Sequence, residues 1–161
     1  LVKPDGRNVA CEKIGGTSDI SAGQLVDRTG QLLGLPFPSG KHLDRMCSGC
    51  ECNDYFRVKC PELTFSLSGV QNKVQQFHAQ HGIPAETAAY ALRCVAKAVY
   101  LATEQALKAY PGLPVVFSGG VASNSMLRQV MAPSGAVFCQ PQYSTDNAMG
   151  VAILAHRLQE K

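Results

Sequence analysis

No stretch of this 161-residue sequence approaches the roughly 20 apolar residues that a membrane-spanning helix needs, so a soluble chain is expected. The opening segment LVKPDGRNVAC has neither a basic leader nor an apolar core of the kind that directs secretion. It also lacks an initiator Met and starts on strand-like residues, from which we expect the second half of something longer. A His-Glu-x-x-His helix is missing, as is any nucleophile with its base, so a peptidase has no support. Charge of one sign is not in large excess: 15 basic and 12 acidic residues leave +3, which permits contact with nucleic acid without arguing for it. Lys3, Arg7, Lys13, Arg28, Lys41 and Arg45 form no run, and the chain has no internal repeat or low-complexity tract. Seven cysteines, an odd number without a secretory leader, favour reduced thiols in a cytoplasm over a disulfide framework.

What is present reads as alternating strands and helices. A strand is expected over residues 9–14 after the turn Pro4-Asp5-Gly6, and Gly15-Gly16 breaks it. A helix follows with Ala22, Leu25, Val26, Leu32 and Leu33 on one face, stopped by Gly34 and PFPSG. Residues 41–63 read as irregular. A second helical pattern, Val70, Val74 and Phe77, ends at Gly82. The longest helix opens at Pro84, has Glu86 in its first turn and closes at Pro111; its apolar residues cover more than one face, which predicts deep packing. Strands at 115–117 and 136–138 alternate with helices from about Ser123 and about Asn147. The expected class is α/β with a partly parallel sheet.

Three local signals invite a functional reading. Gly23, Asp27, Gly30 and Gly34 share one helix face, and each interior Gly costs about 1 kcal/mol against Ala. A bare face with one carboxylate could receive ribose hydroxyls, although close packing of another helix is the favoured reading of the spacing alone. Gly119-Gly120 lies between a strand and a helix that begins near Ser123 and Asn124, a turn that can free backbone N–H groups for phosphate or ribose. Taken alone it is an ordinary turn. In YSTDNAMG, Asp146 reads first as a helix N-cap and second as a hard oxygen ligand to a metal.

In order, the segments GGTSDISAGQLVDRTGQLLGLPFPSG, FSLSG, VVFSGGVASNSMLR and YSTDNAMG resemble the C-terminal half of the universal tRNA threonylcarbamoyltransferase family, formerly called O-sialoglycoprotein endopeptidases or glycoproteases. The resemblance covers most of residues 9–158 and leaves the cysteine-bearing loop 41–63 outside it. It implies one helix-rich lobe of a two-lobed, actin-like (ribonuclease H-like) ATPase fold. Threonylcarbamoyl-adenylate or an adenine nucleotide would lie between the lobes with one divalent metal, iron or zinc. The group would pass to N6 of the adenosine beside the tRNA anticodon, and tRNA, sister subunits and a second copy of the chain are the implied partners. Position by position, Asp27 matches the family's ribose-holding Asp, Gly40 the last Gly of its Pro-Gly-Gly, and Asn124 its nucleotide-contacting Asn. Gly119 and Gly120 match the turn beside the phosphates, and Asp146 the carboxylate ligand to the metal.

The departures are specific. Pro-Gly-Gly reads Pro38-Ser39-Gly40, the bacterial Gly-Glu reads Gly23-Gln24, and SGVQNK leaves Lys73 without a clear counterpart. No His-x-x-x-His occurs among His42, His78, His81 and His156, nor is there a Ser-Gly-Gly-His segment. These features predict a second lobe with no transferase activity by itself. The alternative is a non-catalytic partner subunit or divergent paralogue, and an ATPase or sugar kinase of the same fold ranks last. Cys47, Cys50, Cys52 and Cys60 form a conceivable tetrahedral zinc or iron–sulfur set, but their irregular spacing favours reduced thiols on a loop. Cys11, Cys94 and Cys139 are expected in the core. His78 and His81 could share a helix face, with a solvated helix end preferred, and His156 suits the negative end of the last helix.

Overall fold

The computed structural model of the chain describes residues 1–144 and 148–159. Asp146 therefore lies outside the described residues.

Local chemistry sets the limits of the first helix, α1 (Ala22–Leu32). Ser21 Oγ accepts from the Gln24 N–H at 3.1 Å while Gln24 Oε1 accepts from the Ser21 N–H at 2.9 Å. Glu or Gln closes such a capping box equally well, so Gln24 removes a charge without disturbing the helix start. At the other end Gly34 adopts φ 69°. Its N–H donates to Gln31 O at 3.1 Å, and that of Leu35 to Gly30 O at 2.8 Å. That pair of bonds is a Schellman stop, which explains Gly34 by itself.

Residues 40–46, most of them in the stretch expected to be irregular, form a helix, α2 (Gly40–Met46), held by the buried Leu43 and followed by the buried Cys47. Seven residues make fewer than two turns, too few to reveal a period. Next come α3 (Ser68–His81), closed by Gly82 at φ 67°, and α4 (Pro84–Ala109). The chain ends in α5 (Ser125–Met131), α6 (Pro141–Ser144) and α7 (Ala148–Gln159).

Helix α4 organises the molecule as its composition predicts, with Pro84 in the first turn and Tyr110 as C-cap. Ten of its residues between 87 and 98 are buried, five of them alanines whose small side chains let neighbouring helices approach closely. Against one side Leu25 of α1 and Val70, Val74 and Phe77 of α3 form a cluster with Tyr90, Ala91, Cys94 and Val95. Against the other, Leu43, Met126, Leu127 and Met131 pack on Ala88, Ala89, Leu92 and Ala96.

Strands are short. β1 (Val2–Asp5) and β2 (Asn8–Cys11) make an antiparallel hairpin. β3 (Gly16–Thr17) pairs in parallel with β4 (Thr64–Phe65), and β5 (Val116–Phe117) in parallel with β6 (Val137–Phe138). Parallel pairing is thus present, but as separate two-stranded ladders and not one sheet. The first expected strand stops at Cys11, which is exposed, and Cys139 lies half-buried beyond β6. Of the three cysteines expected in the core, Cys94 alone is there; the hairpin that carries Cys11 packs too little of itself to bury any residue.

Asp19 fastens the entry to α1 onto the start of α3. Its carboxylate accepts from Ser66 Oγ at 2.5 Å, Ser68 Oγ at 2.6 Å and the N–H groups of Leu67 and Ser68 at 2.8 and 3.2 Å. Burial pushes the Asp19 pKa up, but these donors together outweigh it and hold the carboxyl well below the usual carboxylate range. A depressed folded-state pKa contributes stability that is fully present above the unfolded value of about 4 and is lost progressively as pH falls from there through the much lower folded value. The stability gap between wild type and Asp19→Asn should accordingly be widest near pH 7, begin to narrow below about pH 4 and close only as pH falls through the folded value, well below that, in urea melts. A gap independent of pH would mean the carboxylate charge is irrelevant to this junction.

Candidate functional site

Helices α1, α2, α4 and α5 and the turn before α5 line a cavity of about 590 Å³. Its walls are largely apolar, from Val26, Pro38, Leu92, Val95, Val121 and Leu127, and its polar groups are few: Asp27, Lys41, Asp44, Ser123 and Asn124. Volume and lining suit a small organic ligand with a few oriented polar atoms.

Four of the five residues singled out from the sequence for ligand contact line this one cavity: Asp27, Gly40, Gly120 and Asn124. Asp27 and Asn124 lie 97 positions apart in the chain and are held together by the contacts that follow. Gly119, the fifth, stands beside it with φ 99°, in the left-handed region that a side chain resists. Its carbonyl accepts from Ser144 Oγ at 2.8 Å and from the Ala122 N–H at 3.0 Å, which fixes the turn from both sides. A Cβ on Gly120 would meet nothing within 4 Å, so that backbone faces open space. Arg128 braces the same turn, donating from Nε to Ala122 O at 3.1 Å and from Nη2 to Cys139 O at 2.8 Å while lying over the Phe138 ring.

The small-residue face of α1 resolves into three separate causes. Gly34 is the helix stop. Gly30 is bare because Ser39 lies on it: a Cβ there would coincide with the Ser39 Cβ and Oγ. This is a packing cause, though the neighbour is a loop and not a helix. Gly23 borders the cavity with Val121 at 3.9 Å from the place a Cβ would take. Asp27 Oδ1 accepts from the Ser39 N–H at 2.9 Å, and Oδ2 has no partner among the described residues. One oxygen positions the side chain; the other is available.

Asn124 is the N-cap of α5, its Oδ1 accepting from the Leu127 N–H at 3.0 Å. Its Nδ2 donates to Asp44 Oδ1 at 2.8 Å. Asp44 also accepts from Ser125 Oγ at 2.7 Å and from the Ser125 N–H at 3.2 Å, so a carboxylate on α2 joins the cap of α5. Sequence reasoning missed Asp44 because residues 41–63 read as loop. No sequence signal marks it, because the seven residues of α2 are too few to show a helical period.

The cysteine set is not assembled. Cys47 and Cys50 pack on the cluster around Leu43, Cys60 stands next to a separate surface cleft with Arg57 and Leu101, and no three His, Cys, Asp or Glu side chains among the described residues could hold a metal. Burial, with the nearby Asp44 charge, pushes the Cys47 thiol up to about 11, and burial pushes Cys94 to about 11 as well. Such thiols are protonated and unreactive near neutral pH. His78 is half-buried and within 3.0 Å of Thr87 Oγ1, while His81 stacks on Phe77. The two histidines thus have different partners, and the preferred solvated helix end describes only His81. No helix among the described residues is long and apolar enough to cross a membrane.

Residues 6–153 match the family model described as tRNA N6-adenosine threonylcarbamoyltransferase. A protein of that name from Carboxydothermus hydrogenoformans is 32% identical over 152 residues, covering 88% of this chain and 46% of the relative. One from Chlorobium chlorochromatii is 31% identical over 181 residues, covering 96% and 50%. One from Lacticaseibacillus casei is 34% identical over 135 residues, covering 78% and 40%. The chain therefore spans about half the length of the curated relatives it matches. With a match that runs from β2 into α7, the chain belongs to the tRNA N6-adenosine threonylcarbamoyltransferase family.

Proposed function

We propose that the chain is the second lobe of a two-lobed, actin-like threonylcarbamoyltransferase and that its cavity takes the adenine nucleotide part of threonylcarbamoyl-adenylate. The observation that carries this reading is the convergence of Asp27, Gly40, Gly120 and Asn124 on one cavity. Asp27 Oδ2 would accept from ribose hydroxyls. The apolar walls would take the base, and the open backbone at Gly120 would lie against phosphate. Lys41, which also borders the cavity, would balance the anion.

The metal that the family resemblance implies finds no set of ligands among the described residues, so no step is assigned to it. Group transfer to tRNA would need the companion half and sister subunits, and a cytoplasmic place of action accompanies this reading. The departures at Ser39 and Gln24 do not favour a non-catalytic paralogue, because Gln24 retains the helix cap and Ser39 retains the N–H that holds Asp27.

Calorimetric titration of the purified chain with AMP tests the ligand assignment. Asp27→Asn keeps an oxygen for the Ser39 N–H while removing the charge, so it should fold normally yet bind at least about tenfold more weakly, about 1.4 kcal/mol. Unchanged affinity in both Asp27→Asn and Asp27→Ala would remove the site. The same preparation, given tRNA and threonylcarbamoyl-adenylate, should show no turnover; turnover would refute the half-site reading.

A further inference from the structure

We infer that Cys47 and Cys50 form a redox site, a dithiol that closes to a disulfide by exchange with a small-molecule disulfide such as oxidised glutathione. The pair follows α2, the helix that brings Gly40, Lys41 and Asp44 to the cavity. The Cys50 N–H donates to Cys47 O at 3.0 Å, which closes the turn Cys47-Ser48-Gly49-Cys50. Gly49 takes φ 77° there, and a Cβ on it would meet nothing within 4 Å, so backbone shape and not crowding is its cause. A turn closed in this way keeps its end Cα atoms within about 7 Å. Disulfides join Cα atoms about 4.4–6.8 Å apart, so the backbone already holds the pair within reach. Both side chains also lie on one side: Cys47 is part of the buried cluster around Leu43, and Cys50 packs against that cluster.

The two sulfurs differ in access, and that sets the order of events. Cys50 is half-buried and Cys47 buried, so an added disulfide meets Cys50 first. The Cys50 sulfur attacks one sulfur of the added disulfide; a bond to Cys50 forms, the old S–S bond breaks, and the released thiolate takes up the Cys50 proton. The Cys47 sulfur then attacks the Cys50 sulfur from within the turn, a step that needs no path to solvent. The second thiolate leaves with the Cys47 proton. In sum the two cysteines lose two electrons and two protons, and the added disulfide becomes two thiols. Burial and the Asp44 charge, opposed by the Arg93 guanidinium, hold the proton on Cys47. The second step is therefore the slow one, and the mixed disulfide on Cys50 builds up before closure. Closure also withdraws the S–H that Cys47 donates to Asp44 O at 3.5 Å, so the two redox forms differ beside the carboxylate that holds Asn124.

The experiment incubates the reduced, folded chain with oxidised glutathione at neutral pH, blocks the remaining thiols with iodoacetamide at intervals and maps the products by mass spectrometry. Glutathione should appear on Cys50 first, followed by a Cys47–Cys50 disulfide that dithiothreitol reopens. Cys11, which is exposed, should carry glutathione throughout and shows that the reagent acts. Cys47→Ala should stop at the mixed disulfide on Cys50, and Cys50→Ala should leave Cys47 unmodified. Cys52→Ser should close like wild type. Should Cys47→Ala lose the native circular dichroism spectrum, the wild-type map and the Cys50→Ala variant, altered at a half-buried position, decide the matter. Glutathione on Cys11 with Cys50 untouched overturns the inference. So does a mixed disulfide on Cys50 that never closes in wild type, or a bond from either thiol to Cys52 as the main product.

Discussion

Gly30→Ala should unfold this domain more readily than most single methyl additions, and Ser39→Gly in the same chain should restore it. An added Cβ at position 30 lands on the Cβ and Oγ of Ser39, which are not the mobile end of a long side chain. Ser39 is itself buried and donates from Oγ to Pro36 O at 3.0 Å, so it has nowhere to turn. Overpacking of this kind costs about 1–3 kcal/mol, and the roughly 1 kcal/mol that Ala contributes to a helix over Gly offsets only part of it. In thermal melts the single variant should fall by several degrees, at about 2–4 °C per kcal/mol for a chain of this size. The double variant should recover most of that. If Gly30→Ala melts at or above wild type, Ser39 is not the reason that position 30 is bare. The same pair holds Asp27, whose Oδ1 accepts from the Ser39 N–H. The single variant should therefore also weaken AMP binding.

Removal of the Asp44 carboxylate should damage stability and ligand binding together. Asp44→Ala strips acceptors from Asn124 Nδ2, Ser125 Oγ and the Ser125 N–H at one stroke. The Ser125 donors are exposed and can turn to water, but Asn124 Nδ2 is part-buried, and leaving it unpaired costs about 1–3 kcal/mol. Because Asn124 lines the cavity, its release should weaken AMP binding at least about tenfold. Asp44→Asn separates the causes, since it keeps one acceptor oxygen but no charge. Urea melts and titrations on both variants give the answer. A destabilised Asp44→Ala with wild-type AMP affinity would show that α2 and α5 are joined for the fold alone.

The fold was legible where the signals were long or chemically explicit. Helix α4 announces itself by length, Pro84 and its alanines, and α1 by its apolar stripe and Gly34. Helix α2 was not legible, because seven residues rich in charge carry no visible period. The contact of Asp19 with Ser66 and Ser68 joins residues 47 and 49 positions apart, a distance no local pattern spans. Cys11 looked like core because cysteine usually is, and only the thinness of the β1–β2 hairpin decides otherwise.

The site was legible in a different way. Spacing alone favoured packing as the reason for the α1 glycines, and for Gly30 packing is what the structure has. Asp27, Gly40, Gly120 and Asn124 were picked out together by a resemblance in order, and they do share a cavity. Asp44 and Lys41 have no such signal, because the short helix that carries them shows no period in the sequence.

Helix α4 has one more consequence. Both apolar clusters rest on it, and Cys52, Val99 and Val121 touch the two at once. Neither cluster can dissolve and leave the other a complete partner, so heat should melt them as one unit with a single transition. Amide protons along residues 87–98 would then exchange last of all. Half the length of its relatives, the chain still has a spine of its own.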